Sequence, residues 1–168
     1  DTFAYLPVQD FGNAYSTFVA QNFGAGEQER IRRGTKTAFV MSGIFSLIIS
    51  AAVFIFAAPL MRIFIAASET QVIAAGVHYL RIEGAFYIGI GFLFLLYGYY
   101  RAIKRAGMSV VLTVISLGVR VLLAYALSSI SSISVTGIWA AIPIGWFLAD
   151  VTGLIYMKFL SSNAGTGV

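Results

Sequence analysis

Apolar residues run through this chain in long blocks that short polar clusters interrupt, and the block lengths carry the first inference. A hydrocarbon core of about 30 Å needs roughly 20 helical residues to cross it. Five stretches meet that demand: residues 3–22, 37–65, 72–99, 108–129 and 135–160. An unpaired backbone N–H or C=O in lipid costs several kcal/mol, so each stretch has to satisfy its own hydrogen bonds as a helix. The pattern predicts an all-α fold, a polytopic membrane helical bundle with about five transmembrane helices in one partial transmembrane domain. The first stretch is the least apolar, because Gln9, Asp10, Asn13 and Ser16 interrupt it. A spanning helix with such a face has to turn it toward protein or water.

The polar clusters between the blocks are asymmetric in charge. Segment 24–36 carries Arg30, Arg32, Arg33 and Lys36, segment 101–107 carries Arg101, Lys104 and Arg105, and Lys158 lies at the end of the fifth block. The alternate loops, 66–71 and 131–134, hold no basic residue and one acid, Glu69. Basic residues are retained on the cytoplasmic side, so the N-terminus of this chain is expected outside and its C-terminus in the cytoplasm. Arg62, near the outer end of the second block, is the dissenting charge. Tyr97, Tyr99 and Tyr100 are expected to anchor the cytoplasmic end of the third block at the interface.

Composition sharpens the class. Hydrophobic residues make up 59% of the 168 positions and charged residues 11%, whereas an ordinary soluble domain is about 25% charged. There is no cysteine and a single histidine, which removes disulfides, thiol nucleophiles and His-rich metal sites from consideration. The net charge of +4 is spread over short loops, so its expected partner is the anionic lipid of the membrane and not nucleic acid. The first residue is not methionine and no signal-peptide n-region precedes the first apolar block, which reads as the interior of a longer gene product. Gly24-Ala25-Gly26 superficially resembles a phosphate-binding turn, but it follows a membrane helix and lacks the βαβ context such a site needs. No P-loop, no Ser/His/Asp set and no paired metal ligands occur, so nothing points to an enzyme or to a bound cofactor.

Small residues recur at intervals of four on two blocks: Ala141, Gly145, Ala149 and Gly153 on the fifth, and Ser42, Ser46 and Ser50 on the second. Lipid tails are as apolar as leucine, so membrane helices associate through close backbone approach and hydroxyl contacts, and these strips are expected helix–helix contacts. Gly89 and Gly91 mark an expected bend in the third block, as Pro7, Pro59 and Pro143 do in the first, second and fifth.

Ionisable groups within the blocks are the costliest residues and therefore the most informative. Asp10 and Glu83 are the candidate cation-coupling acids, with Gln9 and Asn13 as polar residues that line a cavity beside Asp10. Arg120 and Asp150 are the structural ion-pair candidates: Arg120 is expected to be neutralised by Asp10 or Glu83, which come out at comparable depth, and Asp150 to hydrogen-bond in the cytoplasmic half. Arg81 lies two residues before Glu83 and so on another face, and His78 is expected at the outer interface without a function.

Several of these segments resemble a known family. Phe18-Val19-Ala20-Gln21-Asn22-Phe23-Gly24-Ala25-Gly26, followed by Glu29-Arg30, resembles the end of the second helix of each half in multidrug and toxic compound extrusion (MATE) transporters. Tyr79-Leu80-Arg81-Ile82 resembles their tenth helix, Arg120 with Leu123-Ala124-Tyr125 their eleventh, and Gly137-Ile138-Trp139-Ala140-Ala141-Ile142-Pro143 their twelfth. The resemblance makes this chain helices eight to twelve, a partial C-terminal lobe of a twelve-helix internal-repeat transporter. It implies efflux of cationic, amphiphilic small molecules across the plasma membrane in exchange for H+ or Na+. The missing N-terminal lobe and helix seven of the same protein are then obligatory partners, because the substrate site lies between two related lobes. This chain alone is expected to lack transport, and the family's coupling carboxylates on the first and seventh helices have no counterpart in it. Two other readings stand beside this one: a lipid-linked saccharide flippase of the same superfamily, which favours a large basic cavity, and a membrane scaffold subunit that transports nothing.

Overall fold

The computed structural model describes residues 2–130 and 133–164, and positions 131 and 132 of the expected 131–134 loop lie outside them. Among the described residues the chain is helical throughout. Helix α1 (Thr2–Gly24) reverses into α2 (Gln28–Phe64) through Gly26 at φ 76°. That left-handed conformation costs a residue with a Cβ roughly 1–2 kcal/mol. The Glu27 N–H donates to the Asn22 carbonyl at 2.9 Å to close the turn. The basic run that the sequence placed in a loop is therefore the first turns of α2. There Arg32 and Arg33 grip Glu29 at 2.9 and 2.7 Å, on a surface fully open to solvent ions where such pairs stabilise little. Further along α2, Ile44, Leu47, Ile48, Ile55, Ile63 and Phe64 are each more than half exposed. A stripe that apolar fits a hydrocarbon solvent and no aqueous one.

The third apolar block is not one helix. Helices α3 (Thr70–Gly84) and α4 (Tyr87–Ala102) meet at an angle of 50°. The bend lies at Gly84–Phe86, ahead of Gly89 and Gly91, where the sequence placed it. Those two glycines stay helical and serve contacts instead: Gly91 faces Ser42 and Ser46 of α2, and Gly89 faces Trp146. The fourth block runs as α5 (Ala106–Thr113), a π-helical segment (Val114–Val119) and α6 (Arg120–Ser128), and α7 (Ser134–Ala164) closes the bundle. Helix α2, the α5–α6 run and α7 are each long and apolar enough to cross a membrane, and the bent α3–α4 pair makes a fourth if it crosses as one. Helix α1 is not among them. Its 23 residues would reach across at about 1.5 Å per residue, but its polar residues dilute its apolarity.

Close backbone approach holds the bundle together, as a lipid solvent requires. The most extensive contact joins α1 to α4, where Gly12 and Gly98 face each other and Ser16 Oγ donates to the Gly98 carbonyl at 2.9 Å. Ser42, Ser46 and Ser50 are all buried on the side of α2 that meets α4, and Ala141, Gly145, Ala149 and Gly153 are all buried on α7. Both strips are helix contacts, as expected. The central core is Tyr87, Leu93, Leu96, Tyr100, Leu112, Trp146 and Ala149. Tyr100 corrects a further expectation: it is fully buried and its hydroxyl donates to the Gly153 carbonyl, so it ties α4 to α7 and is no interfacial anchor. Tyr99 stacks edge-on against it.

Candidate functional site

Helices α1, α4 and α5 line an open cavity of about 330 Å³, at which Asn13, Arg101 and Thr113 are exposed. Gln9 and Asn13 enter it from α1, one turn apart and hence on one face. From α4 come Phe94, Tyr97 and Arg101, and from α5 Ser109 and Thr113. The Arg101 guanidinium folds back over the end of α4. Its Nε donates to the Tyr97 carbonyl at 3.3 Å and its Nη2 to Asn13 Oδ1 at 3.2 Å. Thr113 Oγ1 donates to the Ser109 carbonyl at 2.9 Å, which keeps the α5 hydroxyls on the cavity side. Gln9 and Asn13, which the sequence reading grouped with Asp10, line this space. Asp10 is separated from them: it is exposed and is not among the cavity's lining residues. One residue is about 100° of helix rotation, enough to carry Asp10 off the face that Gln9 and Asn13 share.

Glu83 occupies a different place, the last turn of α3 beside the break. It is 7% exposed, and its Oε2 has no hydrogen-bond partner among the described residues. The phenols of Tyr79 and Tyr87 lie within the field of its carboxylate, and Tyr79 also feels Arg120. Where α3 stops, the Glu83 carbonyl accepts from the Phe86 N–H at 3.1 Å, and the last turn forms the negative end of the helix dipole. A carboxylate at that negative end suits a small cation or a proton. Arg81, two residues earlier, projects the other way and lies over the Phe54 ring of α2 at 5.3 Å. His78 pairs with Thr136 Oγ1 at 3.2 Å and packs on Trp139, joining α3 to α7.

Neither Arg120 nor Asp150 forms an ion pair, with each other or with Asp10 or Glu83: among the described residues the ion pairs are those of Glu29 with Arg32 and Arg33. Between Arg120 and Asp150 the reason is axial position. The Arg120 Cβ sits level with Gly145 of α7, and Asp150 lies five residues further on, about 7.5 Å along the helix at 1.5 Å per residue. Asp150 faces Gly89 of α4 instead, buried, with Oδ1 lacking a partner among the described residues. Sequence reasoning missed Arg101, which it counted only as a loop cation, and with it Tyr97, Ser109 and Thr113. The available signal was spacing: Tyr97 and Arg101, like Ser109 and Thr113, stand four apart on one helical face.

Known proteins supply an independent comparison. The MatE family model matches residues 1–126. The chain is 23% identical over 167 residues to "Probable multidrug resistance protein YoeA" of Bacillus subtilis, covering 95% of this chain and 34% of that protein. It is 29% identical over 161 residues to "Probable multidrug resistance protein YpnP" of the same organism, covering 95% and 35%. It thus spans about a third of the length of the curated relatives it matches. Among solved structures it resembles the inward-facing conformation of a multidrug resistance MATE family transporter of the MOP superfamily, with a TM-score of 0.89 at 20% identity over 99% of this chain and 39% of that one. It matches an outward-facing conformation equally, with a TM-score of 0.89 at 18% identity over 99% and 37%.

Proposed function

This chain belongs to the MatE family, and from that premise we propose that it is the C-terminal part, helices eight to twelve, of a membrane antiporter that expels cationic amphiphilic compounds in exchange for H+ or Na+. The observation that carries the reading is Glu83, a buried acid at the break of a discontinuous helix. Secondary transporters place coupling ions at such breaks, where unwound carbonyls and a carboxylate are available together. The coupling role falls to Glu83 in preference to Asp10, which is exposed and stands outside the cavity. Equal likeness to inward-facing and outward-facing relatives supports a lobe that tilts as a unit without refolding, the rigid-body route to alternating access. The flippase alternative asks for a strongly basic cavity, and among the described residues Arg101 is the only cation lining this one.

The test uses the complete protein in dye-loaded cells. Ethidium is expected to leave against its gradient and to stop leaving when the proton and sodium gradients are both collapsed. Ethidium efflux indifferent to both gradients would overturn the reading. The orientation follows from charge asymmetry: α1 starts outside, and the chain ends in the cytoplasm. In the plasma membrane of intact cells, a cysteine at Ser68 is expected to react with an impermeant maleimide added outside, and one at Gln28 only after permeabilisation. Labelling of both from outside would reverse the topology.

A further inference from the structure

The cavity between α1, α4 and α5 has chemistry that export of a simple organic cation does not use. Among the described residues no carboxylate lines it, and the one charge there is the Arg101 guanidinium. Of the five N–H donors of an arginine, the hydrogen bonds among the described residues engage Nε and Nη2, so the Nη1 pair stays open. Asn13 and the Tyr97 carbonyl hold the plane of the fork, which is what makes a guanidinium a directional receptor and not merely a mobile charge. Around it stand neutral polar groups: Gln9, Ser109, Thr113 and the Tyr97 phenol, whose hydroxyl lies 3.4 Å from Thr113 Oγ1. Phe94 forms an apolar wall, its ring edge-on to Tyr97 at 6.4 Å. A space of about 330 Å³ lies at the small end of ligand sites, enough for one aromatic ring and an acidic substituent.

We infer that this cavity is an oxyanion subsite, built to hold the carboxylate or phosphate of an amphiphile whose aromatic or apolar part rests on Phe94 and Tyr97. The inference rests on the transporter reading and deepens it: transported compounds include zwitterions and aryl acids, with the acidic end held at Arg101. A bare cation meets only a repelling charge there. Two sources can supply such an oxyanion, a small-molecule acid or the headgroup of an anionic lipid.

The experiment measures both sources on the complete transporter in nanodiscs. Fluorescence anisotropy gives the affinities of tetramethylrhodamine, whose pendant phenyl ring carries the free carboxylate that enters the subsite while its xanthene stays outside, and of its methyl ester, which differs in lacking that charge. In phosphatidylcholine discs the wild type is expected to favour the acid over the ester, and Arg101→Gln to lower that ratio about tenfold or more. Lys104→Gln removes an exposed charge beyond the cavity and is expected to keep the wild-type ratio. If phosphatidylglycerol in the disc erases the acid preference of the wild type but leaves the ratio of Arg101→Gln unaltered, the lipid headgroup occupies the same subsite. Preference of the wild type for the ester overturns the inference without any variant. A ratio equal in wild type and Arg101→Gln, or lost equally in Lys104→Gln, overturns it as well. Gradient-driven export of the ester dye by the wild type is read separately, so failure of the subsite is distinct from failure of the transporter reading.

Discussion

Gly145→Leu in the complete protein is expected to lower its stability by roughly 1–3 kcal/mol or more through overpacking, and even Gly145→Ala is expected to show a clear loss. A Cβ at this position would lie 2.4 Å from the Ser116 carbonyl oxygen and 3.4 Å from the Arg120 Cβ. Both obstacles belong to the fourth helical run, and the first is backbone, so no side-chain rotation relieves the clash. The two helices must separate instead. In lipid that separation removes van der Waals contact without any compensating hydrophobic gain. The contact falls on the π-helical segment (Val114–Val119), where hydrogen bonding is already irregular and a shift propagates directly to Arg120. Gly107→Ala is the matched control, because nothing lies within 4 Å of a Cβ there and alanine is the better helix former. Thermal melting of the purified variants measures the difference. A Gly145→Leu protein that melts with the wild type would mean that this face of α7 meets lipid.

Much of this architecture was legible because the period and length of apolar runs are enforced by the solvent. Lipid leaves the backbone one economical choice, so the helical blocks, the small-residue strip on α7 and the serine strip on α2 could be read residue by residue. Local irregularities were not legible. The break after Gly84 sits within a continuous apolar stretch, and the glycines that suggested a bend, Gly89 and Gly91, lie where α2 and α7 come close. Their role is to admit a neighbour, which a single helix's sequence does not reveal. The π-helical segment left no signal at all, since one inserted residue per turn changes no composition.

The site was half legible for a related reason. Gln9 and Asn13 stood out because polar residues in an apolar block have to face something wet, and they line the space between α1, α4 and α5. The neighbouring Asp10 was grouped with them by sequence distance, whereas helical geometry separates adjacent positions by about 100°. Arg101 was assigned to a loop by its position at a block end. Its side chain reaches back to Asn13, 88 positions away in sequence, and long flexible cations do this wherever a polar partner is nearer than solvent. Arg120 was expected beside Asp10 or Glu83 because the three come out at comparable depth, but among the described residues no ion pair joins them.

Glu83→Gln in the complete transporter is expected to reduce gradient-driven efflux at least about tenfold while protein abundance and monodispersity stay close to wild type. Glutamine keeps the shape and the hydrogen-bonding reach of the side chain, so packing beside Tyr79 and Tyr87 is preserved, but it can neither carry a charge nor exchange a proton. An antiporter needs a group whose occupancy by the coupling ion biases which side of the cavity is open, and a ligand shifts such an equilibrium only by its difference in affinity between the two states. Glu83 is placed to supply that difference. It sits where α3 gives way to α4, so a change in the angle between the two helices alters how the negative end of the α3 dipole meets its carboxylate, and cation binding alters the angle in return. A tenfold loss corresponds to about 1.4 kcal/mol of coupling, modest for a charged ligand in a site shielded from water. Asp10→Asn is the comparison, and its exposed position predicts a much smaller effect. Measured in proteoliposomes under an imposed proton gradient and then a sodium gradient, the same pair of variants also identifies the coupling ion: the gradient that drives the wild type, and that Glu83→Gln no longer uses, is the physiological one. Efflux preserved in Glu83→Gln under both gradients would make this acid structural and return the coupling role to residues outside this chain.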